Sequence, residues 1–218
     1  MTTRVEQAAS KKKGHRWFAA LFDPLNRITG TERHLAKYRP YVTGEAEGRV
    51  LEVGAGTGAS FAYYKGSAQV VATEPDPFMV AKAERRLNEL ALKNIEIRQA
   101  VAEDLPFDDD SFDYVVSTMV FCTVGDPGRA LAEVNRVLKP GGTFRFMEHV
   151  RPDGGVKARL FDAINPVWGW FGAGCQLNRR TLETINDAGF EIAELRREKM
   201  GGFPVIVGVA KSTGVPSV

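Results

Sequence analysis

A glycine-rich turn and a carboxylate downstream of it are the residues whose types and spacing point most directly to chemistry. Residues 54–58 have the sequence Gly-Ala-Gly-Thr-Gly and follow a short apolar run. Glycine lets the backbone turn sharply and lets a ligand approach without a side-chain clash, and a helix predicted to follow through Tyr64 would offer free N–H groups. Glu74 comes about 20 residues later, where a carboxylate can accept hydrogen bonds from both hydroxyls of a ribose. Together these features predict a site for a nucleotide-like cofactor.

The turn by itself is compatible with more than one kind of protein. Residues 54–59 also satisfy the dinucleotide fingerprint G-x-G-x-x-A, so a nicotinamide-dependent reductase is a competing interpretation. A glycine turn after a strand can also be a tight connection that binds nothing. A choice between these interpretations depends on the elements around the turn.

Strands and helices alternate along residues 49–150. Short apolar runs predict strands at 50–53, 70–73, 95–99, 112–117 and 143–150, and helical patterns occupy 77–92 and 127–138. This alternation indicates an α/β fold with a mainly parallel sheet covered by helices on both faces. A helix at 181–188 precedes two strands, at 191–198 and 203–210. Little room for a helix lies between these strands, so we expect them to pair antiparallel.

The chain is long enough for one sizeable domain and short for two. We expect a polar, mobile tail at 1–14, an N-terminal helical lid at 15–48, a cofactor-binding domain at 49–211 and a C-terminal tail at 212–218. The lid segment places Trp17, Phe18, Leu21, Phe22 and Leu25 on one side of a helix, and this side is expected to pack on the core. Asp23 and Pro24 are expected to end that helix and begin the next.

Composition and charge exclude several classes of function. A net charge of +2 argues against binding nucleic acid through bulk electrostatics. The chain has no apolar run of about 18 residues and no secretory signal pattern, so we expect neither a transmembrane helix nor export. Two cysteines, Cys122 and Cys175, cannot by themselves build a disulfide framework or a four-ligand zinc site. We therefore expect a cytoplasmic protein with no metal site, in which both cysteines are small packing residues.

Four blocks between residues 49 and 150 occur in the order typical of one family. They are 50–58 at the glycine turn, 71–76 at the end of the second strand, 102–107 with 111–116, and 131–142 before the fifth strand. The chain resembles the class I S-adenosylmethionine (SAM) dependent methyltransferases with a methyltransferase type 11 domain. That resemblance implies a Rossmann-like fold with a seven-stranded, mostly parallel sheet whose last strand is antiparallel. It also implies SAM as cofactor and S-adenosylhomocysteine as product.

The resemblance assigns cofactor contacts residue by residue. Glu52 would organise the turn and approach the methionine amino group, Glu74 would bind the ribose, and Glu103 would face the adenine. Many relatives have an aspartate at the position of Val101, so here backbone groups or Glu103 are expected to bind the adenine amino group. The implied set is Glu52, Gly54, Ala55, Gly56, Gly58, Glu74, Pro75, Asp76, Ala102, Glu103, Thr118 and Met119.

Residues beyond the fifth strand bear on the methyl acceptor. The segments 148–150, 165–168 and 174–179 resemble a branch that includes the methyltransferase-like alkyl-thiol methyltransferases and small bacterial relatives. This branch implies a small-molecule acceptor, with a thiol as the leading candidate, and acceptor-side elements within 151–180. The implied substrate contacts are Phe121, Trp168, Asn178 and Arg179. His149 is the candidate general base because it lies at the carboxyl end of a parallel strand, where ligands bind.

Other functions stay open on the sequence. Basic residues followed by apolar ones in the N-terminal segment could form a lid or could lie on an anionic membrane surface. The second arrangement would suit a phosphatidylethanolamine N-methyltransferase. The glycine turn indicates that a cofactor binds but does not indicate that a reaction follows. A SAM-binding protein without catalytic activity is therefore a further alternative. The nicotinamide-dependent reductase is another.

Overall fold

The computed structural model describes residues 16–28, 30–171 and 174–214. The predicted tail at 1–14 and most of the predicted tail at 212–218 lie outside the described residues. The helices are α1 (Arg16–Ile28), α2 (Thr31–Thr43), α3 (Pro77–Glu89), α4 (Pro127–Val137), α5 (Gly155–Phe171) and α6 (Thr181–Asp187). The strands are β1 (Arg49–Val53), β2 (Gln69–Thr73), β3 (Ile95–Arg98), β4 (Phe112–Thr118), β5 (Leu138–His149), β6 (Phe190–Met200) and β7 (Phe203–Ser212).

All seven strands belong to one sheet with the order β3-β2-β1-β4-β5-β7-β6. The pairs among β1 to β5 are parallel, whereas β7 is antiparallel to both β5 and β6. This confirms the predicted Rossmann-like sheet and the antiparallel last strand. Val53, Thr73 and Ser117 share one register level at the carboxyl ends of three neighbouring strands, so the groups that follow these strands meet at one edge.

The core lies on both faces of the sheet. Leu51 and Val50 are consecutive in β1 but belong to different hydrophobic clusters, because side chains of a strand alternate between faces. One cluster includes Leu131 of α4 and Ile185 of α6, and the other includes residues of α2 and α3. Helices therefore cover both faces, as a parallel sheet requires.

Two local predictions were wrong. The segment after the glycine turn is a series of turns with a 3-10 helix at Phe61–Tyr63, not an α-helix through Tyr64. Gly58, at φ 74°, is left-handed and prevents a helix from starting at the turn. β7 also extends into the predicted tail, since Ser212 is buried and donates a hydrogen bond to Asn135.

The N-terminal helix also differs from expectation. α1 continues through Pro24 to Ile28 instead of ending at Asp23. Asp23 does not cap a new helix, because its carboxylate accepts hydrogen bonds from Thr57 and Lys82. Part of the predicted apolar side is exposed and not packed on the core: Trp17 is 82% exposed and Leu21 is 53% exposed. None of the helices within the described ranges is long and apolar enough to cross a membrane.

Candidate active site

The glycine turn that follows β1 forms a cradle with one closed side and one open side. Gly54 and Gly56 have φ angles of 66° and 58°, which disfavour any side chain. A Cβ on Gly54 would lie 2.6 Å from Val120 Cγ2, so this glycine permits close packing of the loop after β4. A Cβ on Gly56 would meet no atom within 4 Å. The backbone at Gly56 therefore borders open space in which a ligand fits.

Glu74 follows β2 and holds the turn in place. One carboxylate oxygen accepts a hydrogen bond from Gly56 N at 3.0 Å, and the other accepts one from Asp76 N at 3.0 Å. These two contacts fix the orientation of the carboxylate between the turn and the start of α3. The neighbouring residues have structural contacts as well: the Pro75 carbonyl accepts from Gln99, and the Asp76 side chain caps α3 by accepting from Phe78 N.

Glu52 lies within β1, directly below the turn, and is only 3% exposed. Burial raises the pKa of Glu52 to about 7, while the charge of Arg39 and the hydroxyls of Ser60 and Tyr64 offset part of that effect. Arg39 itself donates to Ser60 at 2.8 Å. A carboxyl so placed is a suitable partner for the positively charged amino group of an amino acid.

The predicted adenine loop connects to the loop after β4. Glu103 accepts hydrogen bonds from Gly125 N at 2.8 Å and from Asp126 N at 3.3 Å. Ala102 is buried in the core, and Val101 forms a bridge with Asp104. Glu103 thus joins the predicted adenine loop to the loop after β4 through backbone contacts.

Thr118 and Met119 form the junction between β4 and its following loop. Met119 has a φ of 59°, a strained value for a residue with a long side chain. Met119 N donates to the Met147 carbonyl at 2.8 Å, which keeps the junction against β5. The Thr118 hydroxyl is buried and has no hydrogen-bond partner among the described residues. Such strain and unmet bonding capacity are typical of binding sites.

Glu148 and Arg179 hold the loop of residues 119–124 from two sides. Glu148 is fully buried and accepts from Ser117 Oγ at 3.1 Å and from Val120 N at 3.0 Å. Burial raises the pKa of Glu148 to about 7. Arg179 donates to the Phe121 and Val124 carbonyls at 2.6 Å each. Arg179 was expected to contact substrate, but the structure shows its guanidinium occupied by the backbone of this loop.

Glu148 was not among the site residues predicted from the sequence. An acidic residue inside the apolar strand β5 could have indicated it. A carboxyl group that is fully buried needs specific hydrogen-bonding partners. Those partners lie on β4 and on its loop, so only the sheet register reveals them.

Two cysteines and a histidine meet beyond the ends of β4 and β5. One ligand atom from each of Cys122, His149 and Cys175 lies within 4.8 Å of the others, and Cys175 Sγ is 3.6 Å from His149 Nδ1. Hydrogen bonding from Cys122 lowers the pKa of the Cys175 thiol, helped by His149, while the pKa of Cys122 is raised. The candidate base His149 therefore contacts the thiol of Cys175, which was expected to be a small packing residue.

Apolar side chains wall this group of three. Trp168 and Phe203 pack with ring centroids 5.0 Å apart, and Met119 and Phe161 also pack against it. The other predicted substrate contacts lie elsewhere. Phe121 is fully buried in the main core against Phe144. The Asn178 side chain is hydrogen-bonded to the Asp162 carboxylate.

A cavity of about 710 Å³ lies between α1 and α3. Asp23, Thr57 and Lys82 line it, so it borders the outer side of the glycine turn. Glu74, Glu103 and the cysteines do not line it. The cavity therefore lies between α1, α3 and the outer side of the glycine turn.

Comparison with known proteins identifies the family. Residues 51–146 match the family described as "Methyltransferase domain". The thiol S-methyltransferase TMT1B of Rattus norvegicus is 33% identical over 195 residues, which cover 86% of this chain and 73% of that protein. This chain belongs to the class I SAM-dependent methyltransferases. The methyltransferase therefore uses SAM, and the nicotinamide interpretation loses its support.

Two further proteins are similar to this methyltransferase. The phosphatidylethanolamine N-methyltransferase of Cereibacter sphaeroides is 36% identical over 118 residues, which cover 54% of this chain and 58% of that protein. A solved SAM-dependent methyltransferase of Thermotoga maritima shares the fold, with a TM-score of 0.65, 23% identity and coverage of 91% of this chain and 100% of that chain.

The cleft fits the cofactor that the family implies. Gly56 borders open space, and Glu74 and Glu52 place two carboxyl groups beside the same turn, which suits a cofactor with hydroxyl and amino groups. SAM supplies a methyl group already activated by its positively charged sulfur. The chain's own residues are thus left to bind and align the two reactants and to exclude water.

Proposed function

We propose that this methyltransferase transfers the methyl group of SAM to the sulfur of a small thiol. The observation that carries the proposal is the similarity to a thiol S-methyltransferase over 195 residues. That length reaches well beyond the 96 or so residues of the shared domain and includes acceptor-side elements. The apolar wall of Met119, Trp168 and Phe203 suits an acceptor with a small apolar body.

The step we propose is an in-line displacement. The acceptor thiol loses its proton, and its thiolate donates an electron pair to the methyl carbon. The carbon–sulfur bond of the sulfonium breaks, and its electron pair stays on the cofactor sulfur to leave S-adenosylhomocysteine. A thiol has a reference pKa of about 8.5, so a modest stabilisation of the thiolate is sufficient near neutral pH. His149 as general base is a prediction that fits its position at the end of β5.

The experiment is transfer of a radiolabelled methyl group from SAM to a panel of acceptors. The panel contains alkyl thiols, phenols, amines and liposomes with phosphatidylethanolamine. We expect label on a thiol, and much less label with Glu74→Ala at the same subsaturating SAM concentration. Label on phosphatidylethanolamine or on an amine, with none on thiols, would overturn the proposal.

A second candidate is a phosphatidylethanolamine N-methyltransferase that works at a membrane surface. The observation in its favour is the exposed apolar side of α1, formed by Trp17, Leu21, Leu25 and Ile28, of which Ile28 is 83% exposed. An amphipathic helix of this kind binds lipid surfaces through its apolar side. The relative from Cereibacter sphaeroides supports the same activity over a shorter part of the chain.

Sedimentation with anionic liposomes separates the two candidates. The double substitution Trp17→Ser and Leu21→Ser should abolish co-sedimentation if α1 binds lipid. The matched control is Val156→Ser with Leu160→Ser, which removes exposed apolar side chains from α5 instead. Equal co-sedimentation of all three proteins would remove the role of α1.

The predicted cytoplasmic location rests on the two free cysteines, which suit a reducing compartment.

A further inference from the structure

The group formed by Cys122, His149 and Cys175 is not explained by methyl transfer alone, because that reaction forms no covalent bond to the enzyme. We propose that these three residues bind a zinc ion and that the fourth coordination position of the ion takes the acceptor thiol. Binding of the zinc ion is argued from the geometry of the group. Binding of the acceptor thiol to that ion rests on the proposed thiol methyltransferase function.

The geometry fits three ligands of one ion. In a tetrahedral zinc site with Zn–S distances of about 2.3 Å and Zn–N distances of about 2.0 Å, a sulfur and a nitrogen ligand lie roughly 3.6 Å apart. Cys175 Sγ and His149 Nδ1 are 3.6 Å apart. All three ligand atoms lie within 4.8 Å of one another, so shifts of about an ångström would close them around an ion.

The types of ligand also select the metal. Two thiolates and one imidazole form a soft set that suits zinc and is poorly suited to magnesium or calcium. Three protein ligands with one open position are the arrangement of catalytic zinc sites, whereas structural zinc sites have four. Among the described residues, the group contains only these three ligands.

The group lies in a buried position. Cys122 and Cys175 are 1% and 8% exposed, and His149 directs Nδ1 toward Cys175 Sγ. His149 Nε2 is also buried and has no hydrogen-bond partner among the described residues. With Nδ1 as the zinc ligand, Nε2 stays outside the coordination shell.

The charges around the group balance a dication. The Arg179 guanidinium and the Glu148 carboxylate both act electrostatically on Cys122, with opposite signs. Two thiolates neutralise the two positive charges of zinc. Before the acceptor binds, the zinc ion and the two thiolates therefore hold no uncompensated charge, which would be costly. The acceptor thiolate adds one negative charge, which the nearby Arg179 guanidinium opposes.

The position of the group connects it with the cofactor. Met119 packs against the cluster of Cys122, Cys175 and Leu177 on one side and against the cluster that contains Ala55 of the glycine turn on the other. Met119 therefore borders both the group and the cofactor cleft, and an acceptor at the fourth position would reach the methyl carbon past this side chain. Coordination by zinc deprotonates a thiol outright, and the proton leaves to solvent. In this arrangement His149 is a metal ligand and not a general base.

The first measurement is the zinc content of the purified, reduced full-length protein, by elemental analysis after dialysis against a weak chelator. We expect about one zinc ion per chain. Cys122→Ser, Cys175→Ser and His149→Gln should each reduce zinc affinity by at least about tenfold. The matched control is His34→Gln, because His34 is an exposed histidine on α2. Circular dichroism identifies any variant that fails to fold, and the two remaining variants still test the site.

The second measurement is the absorption spectrum of the cobalt-substituted protein in the absence of SAM. A small alkyl thiol should change the sulfur-to-cobalt charge-transfer band, and the alcohol with the same carbon skeleton should not. Absence of zinc, a Cys122–Cys175 disulfide in the purified protein, equal zinc in all variants or an unchanged cobalt band would each overturn the inference. Full thiol methylation by zinc-free, reduced protein would overturn it while leaving the proposed function intact. Zinc binding without any thiol methylation would instead contradict the proposed function.

Discussion

The carboxylate of Glu74 accepts a hydrogen bond from the backbone N–H of Gly56 at 3.0 Å. This contact joins the end of β2 to the turn that follows β1. The residue that is expected to bind the ribose therefore also sets the shape of the turn that is expected to hold the methionine part. Cofactor binding and loop geometry depend on the same side chain.

Replacement of Glu74 should weaken SAM binding more than it weakens the fold. Hydrogen bonds to charged groups contribute about 1.5–3 kcal/mol, so Glu74→Ala should reduce affinity by at least about tenfold in isothermal titration calorimetry. Glu74→Gln keeps one acceptor oxygen and should have an intermediate affinity. Glu84→Ala, an exposed change on α3, serves as the control. Unchanged affinity in Glu74→Ala would remove the ribose assignment.

Alanine at two glycines of the turn should separate cofactor binding from stability. Gly56→Ala meets no atom within 4 Å, so its folding cost is limited to the left-handed backbone, about 1–2 kcal/mol, and its main effect should be weaker SAM binding. Gly54→Ala would also contact Val120 at 2.6 Å and should be the less stable protein in thermal unfolding. Val120→Ala in the Gly54→Ala background should restore part of that stability. The assignment of the open side fails if Gly56→Ala binds SAM normally.

Glu52 should make stability depend on pH in a defined direction. Its pKa is raised from 4.5 to about 7 in the folded protein, mainly by burial and against the attraction of Arg39. The folded state therefore binds more protons than the unfolded state, so this contribution to stability is full below pH 4.5 and is lost as the pH rises through about 7. Glu52→Gln should reduce the slope of unfolding free energy against pH by up to about 1.4 kcal/mol per pH unit.

Chemical denaturation at several pH values between 4.5 and 7 measures that slope. Glu84→Gln is the control because Glu84 is exposed. The pKa of Glu148 is raised in the same way. Its contribution to the pH dependence of stability is the same in the wild type and in Glu52→Gln, so it cancels in the comparison. Parallel curves for the wild type and Glu52→Gln would contradict the prediction.

Asp23 should fasten the N-terminal helix to the domain. Its two oxygens accept from Thr57 Oγ1 at 2.9 Å and from Lys82 Nζ at 2.8 Å. These groups are partly exposed, so Asp23→Ala should cost only about 1 kcal/mol. The local effect should be larger: hydrogen exchange in α1 should accelerate, and SAM should dissociate faster if α1 is a lid. The control is Asp153→Ala, which removes the exposed ion-pair partner of Arg197. It should change neither the hydrogen exchange in α1 nor the dissociation rate of SAM.

Local rules were sufficient for the parts of the site that depend on one strand and its turn. The glycine turn and Glu74 were predicted because the spacing of a β-α-β unit brings the ends of adjacent parallel strands to one edge. The order of the four sequence blocks predicted the family, the cofactor and the sheet with its antiparallel last strand. The antiparallel pair at the end followed from a connection too short for a crossover helix.

Tertiary structure decided what depends on contacts between distant segments. Cys122 follows β4, His149 ends β5, and Cys175 follows α5, so the three meet only after the sheet has assembled and α5 has packed on it. The roles of Glu148 and Arg179 as supports of the loop at 119–124 arise in the same way. The contacts of Asp23 in α1 with Thr57 and Lys82 likewise join segments that are distant in the sequence. Sequence patterns report local backbone preference and burial, and neither specifies which polar side chains meet across the fold.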